Sequence, residues 1–412
     1  GDGSLGGKGR GLAFLDNVIK RHPDFNQYSN AKVQIPKTVV LCTDVFDSFM
    51  ERNNLYQIAL SDATDDEILH AFLQAQLPDE FIGDFFAFFE ATRSPIAVRS
   101  SSLLEDSHYQ PFAGIYSTYM IPYLEDKYEM LRMLACAIKA VYASVYYRDS
   151  KAYMTATSNV IDQEKMAVIL QQVVGKKYDN RFYPNLSGVL RSLNYYPIGE
   201  EKTEEGIVSL ALGLGKYIVD GGQTLRVCPY HPQHVLQLSE LKLALRETQT
   251  QFYALDMQHV GEDFKVDDGF NILKLNLKDA ESDGSLLYIA STYSVDDETI
   301  YDGLYEGRKI ISCCGVLQQG VFPLPELLQM AMRYGADAMR RPVEIEFAVN
   351  LNADRTGELY LLQIRPIVDS KQRLDENLSS IPDEQCLLRS HNSLGHGISD
   401  DVLSLIHISE PT

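Results

Sequence analysis

The chain has no run of about 18–20 apolar residues, so it carries no segment fit to cross a bilayer as a helix. Nor does it open on a basic stretch followed by a short apolar one, the pattern of an export signal. Its six cysteines (Cys42, Cys136, Cys228, Cys313, Cys314 and Cys386) are scattered apart from one adjacent pair, and none forms a C-x-x-C zinc or redox pair. A reduced, cytoplasmic protein is the expectation. Basic residues are scarce as well: 37 Lys and Arg face 57 Asp and Glu, for a formal charge of −20. Such a field repels phosphate backbones and acidic lipid, which argues against nucleic acid and membrane as partners. An anionic substrate must therefore be drawn in by a local basic constellation.

What is there is ample for a core. A length of 412 residues and a hydrophobic content of 45% fit two to three folded domains, at about 150 residues each. The sequence opens at Gly1 inside a glycine-rich motif without an initiator Met, which implies lost upstream sequence. The final run from Leu403 to Thr412, LSLIHISEPT, reads as translated sequencing adapter and is set aside, so the chain is expected to be a fragment.

Leu12, Leu15, Val18 and Ile19 recur at helical spacing up to His22-Pro23, which places the opening glycine motif at a helix N-terminus. Val33 to Leu41 reads as one strand, and Thr43 as the cap of a helix burying Val45, Phe46 and Met50. Pro95 to Arg99 and Phe112 to Met120 read as strands, and Leu124 to Tyr153 as a long helical stretch. Ala167 to Val174 is a continuous apolar strand of the kind covered on both faces. The polar segment 175–185 reads as a surface loop, strands resume near Gly188 and Ile207, and 240–295 reads as helices and linkers. Pro323 to Arg340 is a helix followed by a hairpin.

That hairpin is the most informative segment. With a period of two, Val343, Ile345, Phe347 and Val349 share one face and Glu344 and Glu346 the other. On the returning strand Leu361, Gln363 and Arg365 alternate with Tyr360, Leu362 and Ile364, so Gln363 and Arg365 can face the glutamates. Paired carboxylates suit Mg²⁺ that also takes phosphate oxygens, and an arginine offers phosphate a planar fork. A solvated acidic face neutralised by Arg365 explains the same pattern.

The opening GDGSLGGKGR contains a literal G-x-G-x-x-G, but Asn at position 26 and the lack of a strand ending there speak against a dinucleotide fingerprint. A Walker A loop is excluded, because Gly9 stands where Ser or Thr would hold Mg²⁺. What remains is Lys8 in a glycine run at a helix N-terminus, either an anion site or an ordinary turn. Ala97 to Asp106, AVRSSSLLED, delivers Arg99 into a serine loop and is followed by Phe112-Ala-Gly114 and Thr118. It is either a phosphate cradle or simply a loop.

Taken in order, G-G-K-G, A-V-R-S-S with E-D and F-A-G, G-L-G at 213–215, E-I-E-F and L-Q-I-R-P resemble the ATP-binding N-terminal region of phosphoenolpyruvate synthase, pyruvate phosphate dikinase and rifampicin phosphotransferase. The likeness spans about residues 1–370. It implies an α+β, ATP-grasp fold with nucleotide between two lobes, residues 1–160 and 161–375, then a linker or further domain over 376–402. By the same resemblance Lys8, Arg99 and Arg365 act on the phosphates of ATP, Gly114 and Thr118 line their loop, and Gln171 sits by the adenine. Glu344 and Glu346 hold Mg²⁺, and Gln363 stands with Arg365 against ribose or phosphate.

Lys216 follows G-L-G where the family generally has Glu, and Leu190-Arg-Ser replaces the usual Met-Phe-Thr. The phosphoryl acceptor implied by the family is pyruvate or a histidine on a swivelling domain. None of the nine histidines has that histidine's setting, and His391 and His396 read as structural or linker residues. A non-catalytic, ATP-binding regulatory module is the alternative.

Overall fold

The computed structural model describes residues 3–102, 118–156, 164–258 and 269–367. The opening helix, Gly6–Arg21, buries Leu12, Leu15 and Val18 and stops where Pro23 begins a 3-10 turn, as the spacing predicts. The expected strand from Val33 to Leu41 is two strands instead. Pro36 lacks a backbone donor and divides them, and the two halves join different sheets.

A six-stranded sheet runs in the order β1 (Ala31–Gln34), β17 (Gly357–Pro366), β16 (Val343–Leu351), β8 (Leu186–Arg191), β9 (Ile207–Ala211) and β10 (Leu225–Val227). Only its β1–β17 pair is parallel. A four-stranded antiparallel sheet follows the order β2 (Thr38–Leu41), β5 (Met166–Gln172), β3 (Ile96–Ser102) and β4 (Thr118–Ile121). β5 is the expected apolar strand. Residues Met166 to Leu170 are fully buried, each aliphatic side chain there contributing about 1.5–3 kcal/mol.

Two smaller sheets correct the sequence reading. Segment 175–185, expected as a loop, forms a hairpin of β6 (Lys176–Tyr178) and β7 (Arg181–Tyr183), turning at Asp179 with φ +52°. Phe182 and Tyr183 are buried there, and the Tyr183 ring stands 4.9 Å from that of Phe252. β11 (Gln251–Asp256) and β12 (Ile272–Asn276) extend this hairpin into a sheet. β13 (Ala290–Ser294), β14 (Thr299–Asp302) and β15 (Arg308–Ile311) make the last one. The stretch expected as helices and linkers is thus partly sheet, held by cross-strand partners that its weak periodicity conceals.

The fold is α+β. One hydrophobic core gathers the four-stranded sheet and helices Thr43–Arg52, Asp65–Gln74, Ile82–Thr92 and Lys127–Ser144. Another gathers the six-stranded sheet, the opening helix and helix Leu324–Met339. The expected long helix is broken at Val145–Tyr147, where a second helix, Arg148–Ala156, follows the first. Thr43 is no cap: it occupies the first helical position, and its Oγ1 accepts from the Ser4 amide at 2.9 Å. Among the described residues no helix is long and apolar enough to cross a membrane.

Candidate functional site

The glycine run does local structural work before any chemistry. Gly6 adopts φ +69°, and a Cβ there would stand 2.0 Å from the Ser101 carbonyl oxygen, so only glycine lets the helix start this close to β3. Ser101 Oγ donates to the Leu5 carbonyl at 2.8 Å and accepts the Gly9 amide at 3.1 Å. This docking sets Lys8 in the first helical turn beside β3, where its Nζ donates to the Ser100 carbonyl at 3.1 Å and to Ser100 Oγ at 3.3 Å.

One residue earlier on β3, Arg99 turns the other way. Its side chain is only 12% exposed. It donates to Gln171 Oε1 at 3.1 Å and to Gln363 Oε1 at 2.5 Å, and lies 3.5 Å from Glu346 Oε2. Arg99 and Gln171 belong to the four-stranded sheet, Gln363 and Glu346 to the six-stranded one, so a single guanidinium joins the two sheets. Gln171 is buried, and its Nε2 has no hydrogen-bond partner among the described residues. A buried amide donor left unpaired costs about 1–3 kcal/mol, which an acceptor atom on a ligand would recover.

Two residues along the hairpin lies a second cluster. Glu344 is opposite Arg365 and Glu346 opposite Gln363, so the four share a face as the alternation predicts. Arg365 donates to Glu344 Oε1 from Nε at 2.8 Å and also from a terminal nitrogen. Arg191, opposite Glu344 on β8, donates to its Oε2 at 2.8 Å. Both oxygens of this buried carboxylate are therefore engaged by guanidinium. Glu346 is 31% exposed and, among the described residues, meets only Arg99, at 3.5 Å, leaving acceptor capacity toward solvent.

The alternation fails beyond that point. A register shift at Glu346/Phe347 leaves Leu362 unpaired, so Leu361 sits opposite Phe347 and Tyr360 opposite Ala348. Leu361 is thus packed in the core rather than beside Gln363, and Tyr360 and Leu362 pack with Ala348 and Val174. Tyr360 donates to Glu358 at 2.9 Å; burial and then that carboxylate raise its phenol, which stays a neutral donor.

Thr118 begins β4 directly opposite Arg99. Gly114, His391 and His396 lie outside the described residues. The engagement of Glu344 by Arg191 was not anticipated. The Leu190-Arg-Ser departure was its only trace in the sequence, and only the β8–β16 register turns it into a contact. A cleft of about 1100 Å³, lined by residues including Arg226, His234, Leu236 and Asp302, contains none of these side chains.

A family model described as the pyruvate phosphate dikinase AMP/ATP-binding domain matches residues 2–385. The chain belongs to this family. A phosphotransferase of Bacillus subtilis strain 168, YvkC, described as uncharacterized, is 28% identical over 190 residues, 46% of this chain and 20% of that protein. A phosphoenolpyruvate synthase of Aeropyrum pernix is 23% identical over 296 residues, 71% of this chain and 31% of that protein. The chain thus spans between a fifth and a third of these relatives. At one departure from the dikinase family pattern, Lys216 opens a short helix and pairs with Asp220 at 3.2 Å, the same carboxylate that receives the Tyr253 hydroxyl.

Proposed function

We propose that this chain is the nucleotide-binding part of an ATP-dependent phosphotransferase related to phosphoenolpyruvate synthase and pyruvate phosphate dikinase, with an ATP-grasp arrangement. The observation that carries the reading is the meeting of Arg99, Gln171, Glu346 and Gln363 from two sheets, with Lys8 fixed on the next residue of β3. Two hydrophobic cores, one behind the sheet of β3 and β5 and one behind the six-stranded sheet and the two smaller ones, support two lobes around a nucleotide. In this reading the lobes follow the sheets, a division that the pairing of β5 with β3 and of β1 with β17 supports.

In this reading Lys8, Arg99 and Arg365 neutralise phosphate charge, and Gln171 Nε2 donates to the base. Gln363 holds Arg99 in orientation. Transfer of the terminal phosphoryl then rests on positioning and charge stabilisation rather than on a covalent protein group. Mg²⁺ fits Glu346, whose oxygens retain acceptor capacity, and would supply charge neutralisation between phosphates there. Glu344 does not fit that role while two arginines engage it. The acceptor, pyruvate or a histidine on another domain, follows from the resemblance alone.

Titration calorimetry of the full chain with Mg-ATP tests the reading. One site is expected, and Arg99→Ala should weaken it about 10–100-fold, the worth of one or two charge-assisted hydrogen bonds. Absence of binding, or equal binding by the variant, defeats the proposal. The engaged Glu344 favours a second reading, a module that binds nucleotide without transfer. Sustained transfer of labelled phosphate from ATP would exclude it.

A further inference from the structure

At the far edge of the six-stranded sheet the chain brings together three side chains that the nucleotide reading does not use. Glu205 ends a 3-10 turn just before β9, and Cys228 follows β10 directly. The two strands are antiparallel neighbours with Val208 opposite Val227, so the register itself sets the carboxylate beside the thiol. His231 comes three residues after Cys228, in a turn closed by its own amide on the Cys228 carbonyl at 3.0 Å. One ligand atom from each of Glu205, Cys228 and His231 lies within 4.8 Å of the others.

We propose that Glu205, Cys228 and His231 form a mononuclear Zn²⁺ site. One thiolate, one imidazole and one carboxylate are the donor types that Zn²⁺ takes, and one tight turn presents both Cys228 and His231. Thiolate and carboxylate together carry two negative charges against the ion's two positive ones. Burial pushes the Cys228 thiol up to about 11 although the backbone amides of Tyr230 and His231 reach its sulfur, so the thiol stays protonated until an ion displaces its proton. The Lys202 amide donates to Glu205 Oε2 at 2.9 Å and fixes the carboxylate. Glu205 Oε2 lies 2.9 Å from His231 Nε2, and a tetrahedral site needs ligand atoms about 3.3–3.7 Å apart, so the trio must adjust by only about 1 Å.

The Glu205 and His231 side chains are 19% and 21% exposed, so the ion has an approach from solvent and water completes the fourth position. Cys228 is fully buried, and its thiol now donates to the Glu205 carbonyl at 3.8 Å. Binding releases that proton to solvent as the Zn–S bond forms. The ion would tie the entry of β9 to the exit of β10, the edge strand, at the opposite edge of the sheet from β1. The site stands whether or not the chain binds ATP.

The test loads the metal-free full chain with Co²⁺ and, separately, with Zn²⁺. One Co²⁺ per chain is expected, with a sulfur-to-cobalt charge-transfer absorption that Cys228→Ser removes and Cys136→Ser leaves intact. His231→Asn and Glu205→Gln, at part-exposed positions, should each weaken Zn²⁺ at least about tenfold in calorimetry, and Zn²⁺ should raise the melting temperature of the parent but not of His231→Asn. A band absent from the parent, or surviving Cys228→Ser, overturns the proposal. Should Cys228→Ser not fold, equal Zn²⁺ affinity of His231→Asn and the parent overturns it.

Discussion

Replacing Arg99 with Met removes a side chain that hydrogen-bonds across the two sheets at the candidate site. Its guanidinium satisfies the side-chain oxygens of Gln171 and Gln363, whose residues are 3% and 9% exposed. Each stranded acceptor costs about 1–3 kcal/mol, and water entering the vacated space should hold the total near 3 kcal/mol. The contact with Glu346 adds almost nothing, because that carboxylate is 31% exposed and readily solvated. Gln363→Leu alone should cost about 1–2 kcal/mol by leaving Arg99 short of an acceptor. In the double variant the stranded Gln363 oxygen is gone, so the combined loss should fall short of the sum by about 1–2 kcal/mol. Urea denaturation of the four proteins reads this cycle, provided the slopes agree. Additivity within about 0.5 kcal/mol would show that the two residues do not meet in solution, and the convergence argument would fail with them.

Gly188→Ala should destabilise by about 2–3 kcal/mol, because the new methyl would lie 2.2–2.8 Å from three ring carbons of the buried Phe347. Thermal melts should show partial recovery on adding Phe347→Leu, and no shift with Gly188→Ala would contradict the β8–β16 register. Tyr142 is fully buried, and its hydroxyl has no hydrogen-bond partner among the described residues, so Tyr142→Phe should be neutral or stabilising by up to about 1 kcal/mol at pH 7. Burial raises the phenol's pKa above its unfolded value, so its contribution is intact below about pH 10 and declines as pH rises past that point. The variant's advantage should therefore widen in alkali, and denaturation at pH 7 and above 10 would reveal a constant gap if the reasoning is wrong.

Much of the framework was legible because it depends on neighbours in the chain. The 3.6-residue spacing of Leu12, Leu15 and Val18 marked the opening helix, and Pro23 its end. The unbroken apolar run marked β5, and strict alternation put Glu344, Glu346, Gln363 and Arg365 on one face. Misreadings fell where distant partners decide. Ala31–Gln34 and Thr38–Leu41 look like one strand until β17 takes the first and β5 the second. Lys176 to Tyr183 looks like a polar loop until β11 and Phe252 give its aromatic side chains somewhere to pack.

Local order alone determined which chemistry the chain offers: a lysine at a helix start, an arginine ahead of serines, and acids alternating with core residues on a strand. Tertiary structure decided which of those groups meet. Arg99 and Gln363 are 264 positions apart, and Arg191 reaches Glu344 across 153. Contacts at that separation depend on strand pairing and register, which a side chain's near neighbours do not encode.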